Sequence, residues 1–261
     1  MKKLSFMLLS LLAVTMLTAC GNEDEPDNKQ TLTSIINTRA IVGDDVVFSQ
    51  GSAKVELDYT NMLISFTADY KDADGQSHSL STPSMKLISE GGAIYTFNAT
   101  SGQGVGSVLS LEGTIDMNTG MLWFRFLSGS TEYVSTSQLL YAYTTTNITN
   151  PDNGNHGSHK QSGYLFALDA RGETCIMKIF NFVSTLNGAI DAVEVQYQDL
   201  TVTPTATGYR ITAPEVESSI KGFYALTNVD ITLDDQCNVI AGSFKSNGLE
   251  FEFSGNVFNR E

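Results

Sequence analysis

Apolar residues recur at every second position through most of this chain. The alternation is clean in residues 55–59, 109–115 and 249–253, where the apolar members are Val, Leu, Ile, Phe and Tyr. A β-strand places successive side chains on opposite faces, so this period is typical of antiparallel strands with one buried face. No window after Cys20 has the apolar spacing of a long amphipathic helix. The sequence therefore predicts an all-β protein.

Short turn signals separate the alternating segments. They are rich in Asp, Asn and Gly and lie at residues 72–75, 118–120, 187–188, 234–235 and 247–248. These residue types tolerate the positive φ angles that tight hairpin turns require. The pattern predicts strands that are joined to their neighbours by hairpins.

The two halves of the chain share this pattern. Tyr95 corresponds to Tyr209 at an offset of 114 residues, and Ile115 corresponds to Ile231 at an offset of 116. A near-constant offset is typical of an internal duplication. We therefore predict two similar antiparallel domains of β-sandwich or barrel type, although similar alternation alone explains part of the match.

A polar segment marks the predicted domain boundary. Residues 144–162 consist largely of Thr, Asn, Gly, Ser and His with almost no apolar content, which is typical of a linker or a long surface loop. We predict β-domain 1 at residues 32–145, a linker at 146–162 and β-domain 2 at 163–261. The alternative is one large sandwich in which the polar segment is an excursion from the surface.

The first 19 residues have the features of a secretory signal peptide. A positively charged start precedes an uncharged, mostly apolar run at residues 4–17. Such a run is too short to span a bilayer, which requires roughly 20 apolar residues. The sequence Leu-Thr-Ala-Cys at residues 17–20 resembles the lipobox of bacterial lipoproteins. The resemblance implies cleavage before Cys20 and diacylation of its sulfur, with palmitate as an expected acyl group.

The next segment refines the expected location. Residues 20–31 contain a dense acidic run at 23–27 and no apolar residue before Leu32 other than the cysteine itself. Such a segment is a solvated, self-repelling tether. It resembles the acidic surface-export signal of Bacteroidetes lipoproteins, which implies a lipid-anchored protein of the outer membrane, exposed at the cell surface. A plain spacer is the alternative.

The charge of the chain excludes some partners. Removal of residues 1–19 takes away Lys2 and Lys3, which leaves 13 of the 15 basic residues against 29 acidic ones and changes the net charge from −14 to −16. A chain of this charge repels nucleic acid and anionic membrane surfaces. We therefore expect no nucleic-acid partner, and we expect membrane contact only through the N-terminal lipid. A glycan or a lipid is still possible as a ligand. The charge does not indicate which proteins, if any, are partners.

Two cysteines remain in the predicted mature domains. Cys175 and Cys237 both lie in the second half of the chain, and the predicted compartment is oxidising, which permits a disulfide between them. The alternative is two separate thiols, with Cys175 buried in a strand and Cys237 at a turn.

Motifs for catalysis, metal or cofactor binding are missing or incomplete. His156 and His159 lack a third ligand nearby for zinc, other than Asp152. The Asp-rich residues 72–75 lack the downstream acid of a calcium loop, and the glycine-rich residues 102–106 precede a strand pattern rather than a helix. No Gly-x-Ser-x-Gly or His-Glu-x-x-His motif is present. We predict a protein without catalytic residues, metal or cofactor.

Aromatic residues are the remaining candidates for a binding site. Trp123, Tyr133, Tyr141 and Tyr143 lie close together in sequence, and exposed aromatic rings stack on sugars or line apolar cavities. The sequence predicts a ligand surface made from these four residues. Core packing between sheets is the alternative.

The rhythm of strands and turns resembles the calycin-type barrels of lipoproteins from gut Bacteroidetes and tandem lipid-binding β-domains, although a Gly-x-Trp near the first strand is absent. We predict a lipid-anchored, non-enzymatic module of the cell envelope that binds a glycan or an apolar small molecule. The alternative is a structural or assembly component of an outer-membrane complex. A hydrolase without a recognisable motif comes third.

Overall fold

The computed structural model describes residues 29–100, 108–234, 236 and 238–255. These residues form β-strands, turns and loops in two antiparallel sheets, one of which closes into an eight-stranded barrel. The all-β fold predicted from the alternating pattern is therefore confirmed. The part of the chain that is described contains no helix long and apolar enough to cross a membrane.

The first ten strands form an open sheet, here called sheet 1. Its strands are β1 Lys29–Val42, β2 Asp45–Asp58, β3 Leu63–Lys71, β4 Ser77–Ser81, β5 Met85–Lys86, β6 Ile88–Gly91, β7 Ile94–Thr100, β8 Val108–Asp116, β9 Leu122–Ser128 and β10 Thr131–Ser137. The order in the sheet is β4-β3-β2-β1-β10-β9-β8-β7-β6, and β5 pairs with β3. Sheet 1 is thus a meander in which β1 and β10 meet at the centre.

One face of sheet 1 forms its apolar core. Val55, Leu57, Phe66 and Phe124 are at most 3% exposed, and they belong to a cluster that all major strands of the sheet supply. Gly113 lies directly against the Phe97 ring of this cluster. A Cβ at position 113 would come within 2.3 Å of that ring, so only glycine fits there. The core therefore fixes both which residues face inward and where only glycine fits.

The remaining eight strands form the closed barrel. They are β11 Leu139–Thr149, β12 His156–Leu168, β13 Thr174–Val183, β14 Ile190–Thr205, β15 Gly208–Val216, β16 Leu226–Asp234, β17 Val239–Ser246 and β18 Leu249–Gly255. Each strand pairs with the next, and β18 pairs back with β11, for example at Phe251 and Ile148. Closure removes most free strand edges.

Aromatic side chains fill the barrel interior. Tyr164 stacks on Phe253 with ring centres 4.3 Å apart, and Phe244 stacks on Phe251 at 4.7 Å. Phe182 packs edge-on against Phe223, which lies on the loop before β16. The described pocket among these rings has a volume of about 10 Å³, which is room for about one water molecule. Among the described residues, this part of the barrel interior is therefore closely packed.

The predicted linker at residues 146–162 is instead a hairpin of the barrel. Thr146 pairs with His159 and Ile148 pairs with Gly157 across β11 and β12. The sequence pattern did not indicate strands here because most of the inward positions, such as Thr146, Gly157 and Ser162, are polar or small rather than apolar. The chain changes sheets at Gln138, between β10 and β11, so the last residues of predicted domain 1 belong to the barrel.

The predicted tether also ends earlier than expected. Residues 29–31 belong to β1, where Lys29 pairs with Asp58. The tether predicted at 20–31 therefore overlaps the first strand, and its residues 20–28 lie outside the described part of the chain, as does Cys20.

The outer face of sheet 1 packs against one end of the barrel. Arg39 in β1 is fully buried, and its guanidinium donates hydrogen bonds to the carbonyls of Thr205 and Gly208, the latter at 3.2 Å. The same group lies 4.9 Å from the centre of the Tyr209 ring, whose hydroxyl is 3.2 Å from that of Thr136. A charged group buried among carbonyls and an aromatic face ties the two sheets together at this junction.

The predicted duplication stays a prediction. Tyr95 and Ile115 lie in β7 and β8, while Tyr209 and Ile231 lie in β15 and β16. The matched segments are consecutive strands of a meander in both sheets. Any antiparallel meander produces the same alternation, however, and here one sheet is open and the other is closed.

Candidate functional site

The four aromatic residues predicted to form a ligand surface do not come together. Trp123 is 8% and Tyr133 is 6% exposed, and they face opposite sides of sheet 1. Tyr133 lies in the core, where it stacks on Phe126 with ring centres 4.7 Å apart. Burial, and then the charge of Asp72, raise the pKa of Tyr133. Core packing therefore accounts for Tyr133.

Trp123 belongs to the junction between sheet 1 and the barrel. It lies opposite Thr136, which in turn lies opposite Asn37, so the three form a row across three strands. The Asn37 side-chain oxygen accepts a hydrogen bond from Gln50 at 3.0 Å. Among the described residues, the indole N–H of Trp123 and the amide nitrogen of Asn37 have no hydrogen-bond partner. This row is buried and inaccessible to a ligand from solvent.

Tyr141 and Tyr143 lie on the outer wall of the barrel. Both are half-buried and alternate with inward-facing residues of β11. The Tyr143 ring lies over Gly163, at 3.2 Å from where a Cβ would be. Burial, and then the neighbouring Tyr143, raise the pKa of Tyr141. Neither ring lines the three pockets described among these residues.

A different pair of tyrosines lines an open cleft at one end of sheet 1. This tyrosine cleft has a volume of about 470 Å³, which is in the range of small-molecule sites. Its lining residues are Tyr59, Met62, Gly92, Ala93, Tyr95, Met117 and Asn118. Tyr95 lies at the start of β7, and the other lining residues come from the β2–β3, β6–β7 and β8–β9 turns, which converge at this end of the sheet.

Local hydrogen bonds fix the β2–β3 turn. The Asp58 carboxylate accepts hydrogen bonds from the backbone and side-chain nitrogens of Asn61, both at 2.9 Å. These bonds, the side-chain one first, lower the pKa of Asp58. Met62 has a φ of 53°, and its carbonyl accepts a hydrogen bond from Leu87 at 2.8 Å. The turn therefore holds Tyr59 and Met62 in place before any ligand arrives.

The other walls of the cleft are fixed in a similar way. The backbone N–H of Met117 donates to the carbonyl of Ala93 at 2.9 Å, which joins two of the three turns. The Asp116 carboxylate accepts a hydrogen bond from the backbone of Asn118 at 2.8 Å. An Asp that caps its own turn in this way stabilises the turn conformation. The cleft is thus preformed rather than assembled from mobile side chains.

Tyr59 is the most accessible aromatic residue of the cleft. Its side chain is 41% exposed, and its hydroxyl donates to the side-chain oxygen of Gln30 at 2.6 Å. Partial burial raises the pKa of Tyr59, so the phenol is neutral at physiological pH. One hydrogen bond at its tip orients the ring while its apolar body remains open to solvent.

A polar groove adjoins the tyrosine cleft. The groove has a volume of about 360 Å³. It is lined by Lys29, Gln30, Thr31, Glu56, Leu57, Asp58, Leu63, Ser65 and Ser84. Gln30 in the groove bonds to Tyr59 in the cleft, so the two concavities share a wall. Together they offer aromatic surface on one side and carboxylate, amide, hydroxyl and ammonium groups on the other.

The other motifs from the sequence have structural roles. The Asp72 carboxylate accepts backbone hydrogen bonds from Asp74 and Gln76 and lies 2.7 Å from His78, so residues 72–75 are a capped hairpin turn. His156 contacts the hydroxyl of Thr149 at 3.1 Å within the β11–β12 hairpin. The described residues contain no group of three or more His, Cys, Asp or Glu that could hold a metal ion.

Cys175 is a buried free thiol, 2% exposed. Burial, and then the charge of Asp169, raise its pKa to about 12, so this thiol is not a nucleophile at neutral pH. Cys175 forms no disulfide in this structure, and Cys237, its predicted partner, lies outside the described residues. The glycine-rich residues 102–106 also lie outside them.

The sequence pattern did not indicate Tyr59 or Tyr95 as residues of a binding site. Tyr59 ends an alternating strand and precedes Thr60-Asn61, so an aromatic residue beside a turn was the available signal. Nothing in the sequence shows that three separate turns meet at one end of the sheet. That juxtaposition depends on the strand order, which the alternating pattern does not encode.

The comparisons with known proteins add no family. No protein-family model matches this chain, and no curated protein matches it. The geometry of the cleft and the N-terminal sequence therefore carry the information about its function.

Proposed function

We propose that this protein is a lipid-anchored, non-enzymatic binding protein of the cell envelope, and that its tyrosine cleft and polar groove bind a glycan. One observation carries the proposal. Tyr59, half-exposed and oriented by Gln30, forms the shared wall between an aromatic cleft of about 470 Å³ and a polar groove of about 360 Å³.

The chemistry of the two concavities suits a glycan better than an apolar molecule. A sugar ring has an apolar C–H face, which stacks on an aromatic ring, and hydroxyls at its edge, which need polar partners. Both are offered side by side at Tyr59. An apolar ligand instead needs an enclosed cavity, and the aromatic rings inside the barrel leave about 10 Å³ in the described pocket.

The carboxylates of the groove favour binding over hydrolysis. A glycosidase needs a general acid whose pKa is raised. Asp58 has a lowered pKa because Asn61 donates to it, and Glu56 is engaged with Lys54 at 3.1 Å. The Asp58 carboxylate is therefore suited to accept hydrogen bonds from hydroxyls rather than to donate a proton.

The proposed anchor places the site near the membrane. The groove contains Lys29, the first residue of β1. A chain of nine residues from Cys20 to Lys29 spans at most about 30 Å. Lipidation at Cys20 and exposure on the outer face are part of the proposal. They are supported by the lipobox-like residues 17–20 and by the acidic run after them.

A glycan-binding screen tests the proposal. The unlipidated mature chain, Cys20→Ser, is screened against bacterial, plant and host polysaccharides, and hits are measured by calorimetry. We expect Tyr59→Ala to weaken binding by about tenfold or more, because it removes an exposed aromatic anchor. Tyr224→Ala, which removes a tyrosine of 37% exposure on the barrel, is the matched control and leaves binding unchanged. Equal loss in both variants contradicts the site.

A further inference from the structure

The tyrosine cleft is lined by uncharged groups. None of the described residues that line it is acidic or basic, whereas the adjoining groove contains Lys29, Glu56 and Asp58. A sugar that bears a carboxylate or a sulfate is normally held by arginine or lysine, and a sugar with a free ammonium group is held by an acid. The lining of the cleft offers neither kind of partner. The part of a glycan that enters the cleft is therefore a neutral sugar.

Two methionines make the cleft more apolar than an unsubstituted sugar ring requires. Met62 and Met117 pack against the core of sheet 1 and also line the cleft, as does Tyr95. Methionine is a flexible apolar side chain that adapts to the shape of small groups. Hydroxyls placed against these side chains would lose water without gaining a polar partner, which costs free energy. A methyl group on the sugar would instead be buried favourably there.

One polar side chain of the cleft is available for hydrogen bonds to a ligand. Asn118 is exposed, and its backbone N–H donates to the Asp116 carboxylate at 2.8 Å, which fixes its place in the β8–β9 turn. Among the described residues, the side-chain amide of Asn118 has no hydrogen-bond partner. A side-chain amide offers both a donor and an acceptor. It is therefore complementary to a second amide, whose N–H donates and whose carbonyl accepts.

We propose that the tyrosine cleft recognises an N-acetylated amino sugar. The acetamido methyl packs against Met62 and Met117, and the acetamido N–H and carbonyl pair with the side chain of Asn118. The sugar ring stacks on Tyr59, and the rest of the glycan continues into the polar groove. This inference rests on the proposed glycan-binding function and names the class of sugar that the site selects.

Three trisaccharides that differ only at C2 of each sugar test the inference. Tri-N-acetylchitotriose carries acetamido groups, cellotriose carries hydroxyls and chitotriose carries amines. Their affinities for the unlipidated mature chain, Cys20→Ser, are measured by calorimetry in mildly acidic buffer, where the amines are protonated. We expect tri-N-acetylchitotriose to bind about tenfold or more tighter than cellotriose, which has neither the methyl nor the amide. Tightest binding by chitotriose would show attraction to the carboxylates of the groove and overturn the proposal.

Two asparagine variants locate the acetamido group. Asn118→Ala should weaken the binding of tri-N-acetylchitotriose by about fivefold and leave that of cellotriose unchanged, because it removes hydrogen bonds to the acetamido group alone. Asn98→Ala changes an exposed asparagine of β7 outside the cleft and should leave the binding of both sugars unchanged. A thermal melt checks that both variants are folded. Equal weakening of both sugars by Asn118→Ala contradicts recognition of the acetamido group by this residue.

Failure of the inference differs from failure of the proposed function. If cellotriose binds as tightly as tri-N-acetylchitotriose, and Tyr59→Ala weakens both, the glycan site stands and the N-acetylated sugar is wrong. The same holds if neither trisaccharide binds but another glycan from the polysaccharide screen does. If no glycan binds at all, the proposed function and the inference are both overturned.

Discussion

At the scale of single residues, buried polar groups explain how sheet 1 and the barrel stay together. Arg39 is fully buried and meets the carbonyls of Thr205 and Gly208 and the ring of Tyr209. Carbonyls buried without a partner cost free energy, so the turn between β14 and β15 depends on a side chain from the other sheet. This makes the junction sensitive to a single substitution.

Arg39→Ala should lower the free energy of unfolding by about 3 kcal/mol, because it leaves the buried carbonyl of Gly208 and the part-buried carbonyl of Thr205 without their charged donor and removes a cation–π contact. Chemical denaturation measures the change. Arg125→Ala is the control: Arg125 is 48% exposed and pairs with Glu112 on the surface, so its loss should change stability by less than about 1 kcal/mol. Similar losses in both variants would contradict the role of the junction.

At the scale of elements, the β11–β12 hairpin shows what the sequence could and could not predict. Period-two alternation identified strands such as β2, β8 and β18, because apolar residues mark the buried face directly. The same test failed at residues 144–149, where threonine occupies inward positions. Strand order and barrel closure were beyond the sequence, since they depend on contacts between strands far apart in the chain. The tyrosine cleft was missed for that reason.

The hairpin has a consequence for proteolysis. Lys160 is the one basic residue in the segment 144–162, and β12 holds it in the barrel wall, whereas Arg171 lies in a turn with a side chain 76% exposed. Trypsin should therefore cut the native chain after Arg171 well before Lys160, because a paired strand does not fit a protease cleft. Mass spectrometry of timed digests gives the order. First cleavage after Lys160 would instead indicate a flexible linker.

At the scale of the whole molecule, an open sheet with a surface cleft is joined to a barrel whose interior is filled by packed aromatic and aliphatic side chains. The cleft and groove lie at the end of sheet 1 where β1 begins. The proposed lipid anchor and the proposed glycan site therefore lie at the same end of sheet 1.

The free energy of unfolding should be highest at intermediate pH, because paired carboxylates titrate in acid and buried tyrosine and cysteine side chains titrate in alkali. Hydrogen bonds lower the pKa values of Asp72 and Asp230 from 3.8, with His78 and Arg210 as the main donors. The unfolded chain thus binds more protons than the folded chain in acid. Stability is present above about pH 4 and is lost as the pH falls through the lowered values.

At high pH the free energy of unfolding falls as the pH rises, the reverse of its dependence on pH in acid. Burial raises the pKa of Tyr164 and Tyr197 above 10.0 and that of Cys175 from 9.0 to about 12. The unfolded chain therefore releases protons that the folded chain keeps, and the free energy of unfolding falls as the pH rises above about 9. Denaturation across pH measures both limbs. Cys175→Ala should lose less stability than the wild type between about pH 8 and about pH 10; an unchanged slope would contradict a buried thiol.

The most direct test of the account is to map a bound glycan by NMR on the isotope-labelled chain. With an oligosaccharide selected in the polysaccharide screen, we predict chemical-shift changes at Gln30, Tyr59, Tyr95 and Asn118 and none at Tyr141 or Tyr143. That result would place the ligand across the tyrosine cleft and the polar groove. Shifts confined to the barrel wall, or the absence of any glycan that binds, would contradict the proposed function.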